Sequence, residues 1–128
     1  MSEPRVIHPD ELIGGPVTPG MERLEAFAAP DRWIGRVTSA SGLTSGWHYH
    51  GQHASYFYVV AGSTRLEFAD GNMLQVGVGD FAHVPARAVH RESSTGPDTL
   101  EVILVRIGSG PQVVEVPDPG TTQLEVVE

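Results

Sequence analysis

Glycine and proline break this chain so often that no segment of about ten residues keeps a helical period. The 128 residues include 15 glycines and 10 prolines. Between them lie short runs rich in β-branched and aromatic residues, spaced roughly eight to twelve residues apart, the pattern of an all-β sandwich or barrel. The expected fold is therefore an antiparallel β-barrel or jelly roll. Strands are predicted at Met21 to Phe27, Trp33 to Thr38, Trp47 to Tyr49, Tyr56 to Val60, Arg65 to Phe68, Met73 to Val76, Phe81 to Val84 and Leu100 to Ile107. Asp70-Gly71 between two of these runs is a hairpin signal. Residues 1–20 read as an irregular arm, 21–110 as the barrel, and 111–128 as an acidic, proline-containing tail with one edge strand near Val113 to Val116 and a disordered end.

Composition narrows the function classes. The length suits one domain. The net charge is −8, and all eight basic residues are arginine, with no basic cluster. Nucleic acid is therefore not an expected partner. No apolar run approaches the roughly 20 residues of a membrane span, and no apolar stretch follows Met1-Ser2-Glu3-Pro4-Arg5, so neither a membrane nor a secretory route is expected. Cysteine is absent, which removes disulfides and thiolate ligands. The expected setting is cytoplasmic.

Chemistry concentrates in the histidines. His48 and His50 stand at i and i+2, and on a strand both rings point to one face. His90, in a Gly/Pro frame downstream, supplies a third imidazole if its strand passes alongside. Three neutral imidazoles with open coordination positions suit an exchangeable or catalytic metal. One divalent transition ion is the expected cofactor, iron(II) first, with nickel, zinc or manganese as alternatives. Because ligands bind unprotonated, metal occupancy is expected to fall as pH drops through about 6.5.

The spacing resembles the two signature motifs of the cupin superfamily. Gly42, His48, His50 and Gly62 fall on the first, and Gly79, Pro85 and His90 on the second. Ser55 stands where that family usually has Glu, Arg87 where it has Gly, and Ser94 where it has Asn. The string Ser45 to His53, followed by Gly79 to Pro85, looks like that of small single-domain bacterial cupins. The resemblance implies a cupin barrel (a double-stranded β-helix), a metal held by His48, His50 and His90, and a homodimer. It leaves the place of the missing carboxylate open. Either the three histidines act alone, similar to three-His cupin dioxygenases, or His53 turns inward as a fourth ligand.

Alternation assigns the cavity. If Ser55 faces the metal, Phe57 and Val59 face inward and Tyr56 and Tyr58 outward, where they would serve a dimer surface. Phe57, Phe68 and Phe81 are candidate walls, with Trp33 and Trp47 nearer the mouth. His83 shares the face of Phe81 and is the candidate general base. Arg106 shares the face of Val102 and Leu104, and could present its guanidinium to a substrate carboxylate. The expected activity is a mononuclear non-haem iron dioxygenase-like oxidation of a small organic molecule. The alternatives are a metal-dependent isomerase, decarboxylase or lyase that needs no dioxygen, and a non-enzymatic module that binds a metal or metabolite.

Overall fold

The computed structural model describes residues 3–119. Two antiparallel sheets face each other. The strands are β1 (Ile13–Gly14), β2 (Met21–Ala29), β3 (Arg32–Ser39), β4 (His48–Tyr49), β5 (Ala54–Ala61), β6 (Ser63–Phe68), β7 (Met73–Gly77), β8 (Phe81–Val84), β9 (His90–Thr95), β10 (Leu100–Ile107) and β11 (Val114–Glu115). The first sheet has the order β1-β2-β3-β10-β5-β8 and the second β11-β4-β9-β6-β7. Consecutive strands thus alternate between sheets in places, as a double-stranded β-helix requires. One 3-10 turn, Pro9–Glu11, is the only helical element among the described residues of the arm, and β1 pairs with β2.

Period-2 patterning explains the inner faces. Along β5, Ser55, Phe57 and Val59 are buried while Tyr56 is exposed. Val37, Phe57, Val59, Leu66, Val76, Val84, Leu100 and Val102 form the core between the sheets. The β6–β7 hairpin turns at Asp70-Gly71, where Asp70 Oδ1 accepts the Asn72 N–H at 2.9 Å and Gly71 takes φ +94°. At Gly62, which joins β5 to β6, φ is +78° and an added Cβ would lie 2.7 Å from the Thr99 carbonyl oxygen. Only glycine meets both demands there.

Arg87 departs from this logic. It is the one non-glycine residue among those described with positive φ, at 66°. It sits in the Pro85–Ala88 turn that delivers His90, at the position where the resemblance calls for glycine. A left-handed conformation costs an L-residue roughly 1–2 kcal/mol, partly offset by the entropy a glycine loses on folding. Arg87→Gly is therefore expected to stabilise the fold by up to about 1 kcal/mol, and Arg87→Val to destabilise it. Chemical denaturation midpoints of the two variants check the pair of signs.

Candidate metal centre

The second sheet builds the centre. His48 on β4 pairs in register with His90 on β9, which sets their rings side by side. His50 follows just past the end of β4, on the same face as His48. The ring centroids of His48 lie 4.8 Å from His50 and 4.5 Å from His90. All three side chains are buried, and one nitrogen from each lies within 4.8 Å of the others.

Backbone carbonyls fix which nitrogen that is. The Nδ1–H of His48 donates to Gly46 O at 2.9 Å, that of His50 to Gln112 O at 2.9 Å, and that of His90 to Ala88 O at 2.8 Å. With Nδ1 carrying the proton, each neutral ring leaves a bare Nε2 lone pair. Three converging lone pairs repel one another unless a cation sits between them. Carbonyl-oriented imidazoles of fixed tautomer are the usual outer support of a metal site. The donor set therefore fits a divalent transition ion.

The Gln112 carbonyl reaches His50 only because Gly51 intervenes. Gly51 has φ +58°, and a Cβ there would collide with the Pro111 carbonyl oxygen. Gln112 carries no motif, since any residue could supply that carbonyl, so sequence alone gives no sign of it.

Electrostatics favour the neutral form of the His50 and His90 rings. Burial, with the Arg106 charge second, pushes the His50 pKa down to about 3. Burial also lowers that of His90. Protons therefore compete for the His50 ring at a lower pH than the ordinary imidazole value of 6.5 anticipates. The cost falls on stability. Between about pH 6.5 and 3 the unfolded chain binds a proton at position 50 that the folded chain does not. Stability of the metal-free protein is thus fully present above the unfolded pKa and declines as pH falls, by up to about 1.4 kcal/mol per unit for this group. Urea midpoints of metal-free protein at pH 7 and pH 5 are expected to show a clear loss at the lower pH.

The centre opens into a cavity of about 320 Å³ lined by residues of both sheets, a size suited to a small ligand. Ser55, Phe57 and Arg106 line it, together with Val37, Val84, Leu100, Val102 and Leu104. Arg106 pairs in register with Ser55 across β10 and β5. Its Nε donates to Ser55 Oγ at 3.3 Å and its Nη1 to Gln112 Oε1 at 3.1 Å. Burial lowers its pKa to about 10, against the raising effect of Glu92, so the guanidinium stays charged near neutrality. Ser94 also lines the cavity, and its buried Oγ has no hydrogen-bond partner among the described residues.

Several expected site residues lie elsewhere. His53 is 2% exposed but does not join the metal cluster; its Nδ1–H donates to His50 O at 3.0 Å, which turns the ring into a brace for the loop. His83 is exposed on the outer face of β8, stacked on Tyr56 with centroids 4.7 Å apart. It is no general base for this cavity. Phe81 is 82% exposed and packs on Tyr58. The cause is register: His83 pairs with Tyr56 and Phe81 with Tyr58, and directly paired residues share a face. Ala82 and Val84 point inward instead. Phe68 packs on the core, its ring centroid 5.8 Å from that of His90, without lining the cavity. Trp33 packs on the core and donates Nε1–H to Glu25, and Trp47 lies under the Arg91 guanidinium, so neither lines the cavity.

Fold and site together define a small β-barrel of the double-stranded β-helix type with a three-histidine group that could hold a metal ion. The sequence profile of the cupin domain matches residues 35–106, more than half of the chain, and the chain belongs to the cupin family. Over 43 residues it is 44% identical to quercetin 2,3-dioxygenase of Bacillus subtilis, a match spanning 34% of this chain but 12% of that protein's length. Among solved structures it is similar to KdgF from Halomonas sp., with TM-score 0.68 and 25% identity over 82% of this chain and 94% of that one. It also resembles a predicted oxalate decarboxylase from Thermotoga maritima, with TM-score 0.69 and 18% identity over 81% and 99% of the two chains. No helix among the described residues is long and apolar enough to cross a membrane.

Proposed function

We propose that this cupin is a metal-dependent, dioxygenase-like oxidoreductase acting on a small organic molecule that carries a carboxylate. The observation that carries the reading is the convergence of three bare Nε2 atoms on one end of a cavity that also holds a partly buried guanidinium. The local identity with a quercetin 2,3-dioxygenase supports the use of dioxygen. His48, His50 and His90 would hold one divalent ion, iron(II) by preference. Bound there, the ion would supply Lewis acidity toward a substrate oxygen and one-electron chemistry toward dioxygen.

The chain's own residues do the rest. Arg106 neutralises and orients the substrate carboxylate. Val37, Phe57, Leu100, Val102 and Leu104 wall the substrate with apolar surface and exclude water. Ser94 Oγ offers one hydrogen bond to a polar group of the substrate. Arg106 also favours a second reading, an isomerisation, decarboxylation or lysis without dioxygen, since a carboxylate held beside a Lewis acid suits those reactions equally. Metal analysis of untagged protein, followed by dioxygen uptake with a panel of small carboxylates, tests the proposal. Turnover at equal rate under anaerobic conditions would replace it with the second reading.

We further propose a homodimer through the outer face of β8, β5 and β10. Phe81, Tyr56, Val60 and Ile103 are exposed there at 82, 46, 41 and 38%. An exposed aromatic sheet face marks an interaction surface, and β8 is a sheet edge beside it. Light scattering is expected to give twice the chain mass for the wild type and the chain mass for Phe81→Asp.

A further inference from the structure

Position 55 is bound to Arg106 and not to the metal centre. Ser55 Oγ, 3% exposed on its residue, accepts the Arg106 Nε–H. The guanidinium thus occupies the side of the cavity from which a ligand on β5 would come. A carboxylate approaches from a different strand. Glu92 is two residues beyond His90 on β9, and its oxygens sit 4.0 Å from His48 Nε2 and 3.9 Å from His90 Nε2.

We propose that Glu92 is the fourth protein ligand of this centre, so that β9 delivers the negative charge that β5 lacks. The inference rests on the metal-centre reading above. Its first support is reach. Ligand atoms bound to one transition ion at about 2.0–2.2 Å each can be at most about 4.4 Å apart. Glu92 Oε1 meets that limit against His48 Nε2 and Oε2 against His90 Nε2, so the carboxylate stands beside the three-histidine cluster, spanning two of its members. Its second support is the tautomer state. The Nδ1–H groups of His48 and His90 are spent on carbonyls, so their bare Nε2 lone pairs face carboxylate lone pairs. Acceptors facing acceptors call for a cation between them.

Its third support is rigidity. The Glu92 N–H donates to Ser45 Oγ at 3.0 Å, and the Glu92 carbonyl accepts the Ser45 N–H at 2.8 Å. The backbone that carries the carboxylate is therefore pinned beside β4. The sequence pattern agrees, because His90-Arg91-Glu92 repeats the i, i+2 geometry of His48-Tyr49-His50 on the facing strand. The β4 segment, with the residue that follows it, and β9 then contribute two ligands each, and the charge of the loaded site drops by one.

Cobalt(II) titration of metal-free wild type, Glu92→Gln and Glu92→Asp tests this, read by calorimetry and by the visible ligand-field spectrum. The wild type is expected to bind one cobalt per chain. Glu92→Gln and Glu92→Asp are each expected to bind more than about 100-fold more weakly, beyond the roughly 10- to 100-fold of a lost supporting residue, and to shift the spectrum, since Asp keeps the charge but falls short of the ion. Circular dichroism checks that both variants fold, and the isosteric Gln keeps the test valid if Asp does not. A variant spectrum identical to wild type, with or without weaker binding, would overturn ligation by Glu92 and leave the three-histidine centre. Wild-type protein that takes no cobalt would overturn both.

Discussion

His90→Ala is expected to strip the metal while leaving the barrel folded. Loss of a supporting residue around a metal ligand already costs about 10- to 100-fold in affinity, so loss of the ligand itself should exceed 100-fold. The core is independent of it: Val59, Leu66, Val76 and Val84 pack between the sheets without the histidine. His53→Ala provides the contrast. His53 is as buried as His90, but its ring braces the His50 carbonyl and contributes no ligand atom to the cluster. Its truncation leaves a cavity, while the His50 carbonyl keeps the His53 backbone N–H at 2.9 Å, at about 2–4 kcal/mol of stability, with metal affinity changed much less. Metal content by elemental analysis and thermal melting of both variants should separate in opposite directions. Equal metal loss from the two would return His53 to the ligand set.

Which parts of this were legible in the sequence follows from what each strand faces. Strand β5 alternates apolar against tyrosine because one side meets the core, so Ser55, Phe57 and Val59 could be assigned inward from the chain alone. Strand β9 gives no such signal. Its cavity-facing residues include His90, Glu92 and Ser94, and a polar cavity wall reads like solvent-exposed surface. Only His90 marks the strand in the sequence, and Glu92 stands out by nothing but its i, i+2 spacing to His90, the spacing that His48 and His50 share. The outward faces of His83 and Phe81 are hidden in the sequence for another reason. Alternation says that they share a face but not which one, and pairing with β5 decides it. The Gln112 carbonyl, which sets the His50 tautomer, depends on a contact across the fold to the chain's C-terminal part and leaves no trace in residue type. The arm and barrel boundaries lie within the described residues, whereas the expected disorder at 121–128 lies outside them.

Arg106→Leu should weaken substrate and strengthen metal at once. The guanidinium is inside the cavity, held by Ser55 and Gln112, and its charge is felt at His50, where it opposes protonation. The same repulsion acts on a bound cation. Removing it is expected to tighten cobalt(II) binding severalfold, on the order of 1 kcal/mol at the effective dielectric of a partly buried site. A carboxylate substrate responds the other way. Losing one partner of a buried, hydrogen-bonded charge pair costs about 2–5 kcal/mol, which is about 30- to 5,000-fold in kcat/KM for any carboxylate that the dioxygen-uptake screen identifies. Arg106→Lys should recover part of that loss, since a point charge survives without the bidentate fork. Folding is not at stake, because a partly buried cation with two neutral partners contributes little and Leu matches the apolar wall formed by Val102 and Leu104. A purely structural arginine would instead lower the melting temperature and leave KM where it was. Tighter metal with unchanged kcat/KM would keep Arg106 as an electrostatic neighbour of the centre and remove the carboxylate from the substrate's description.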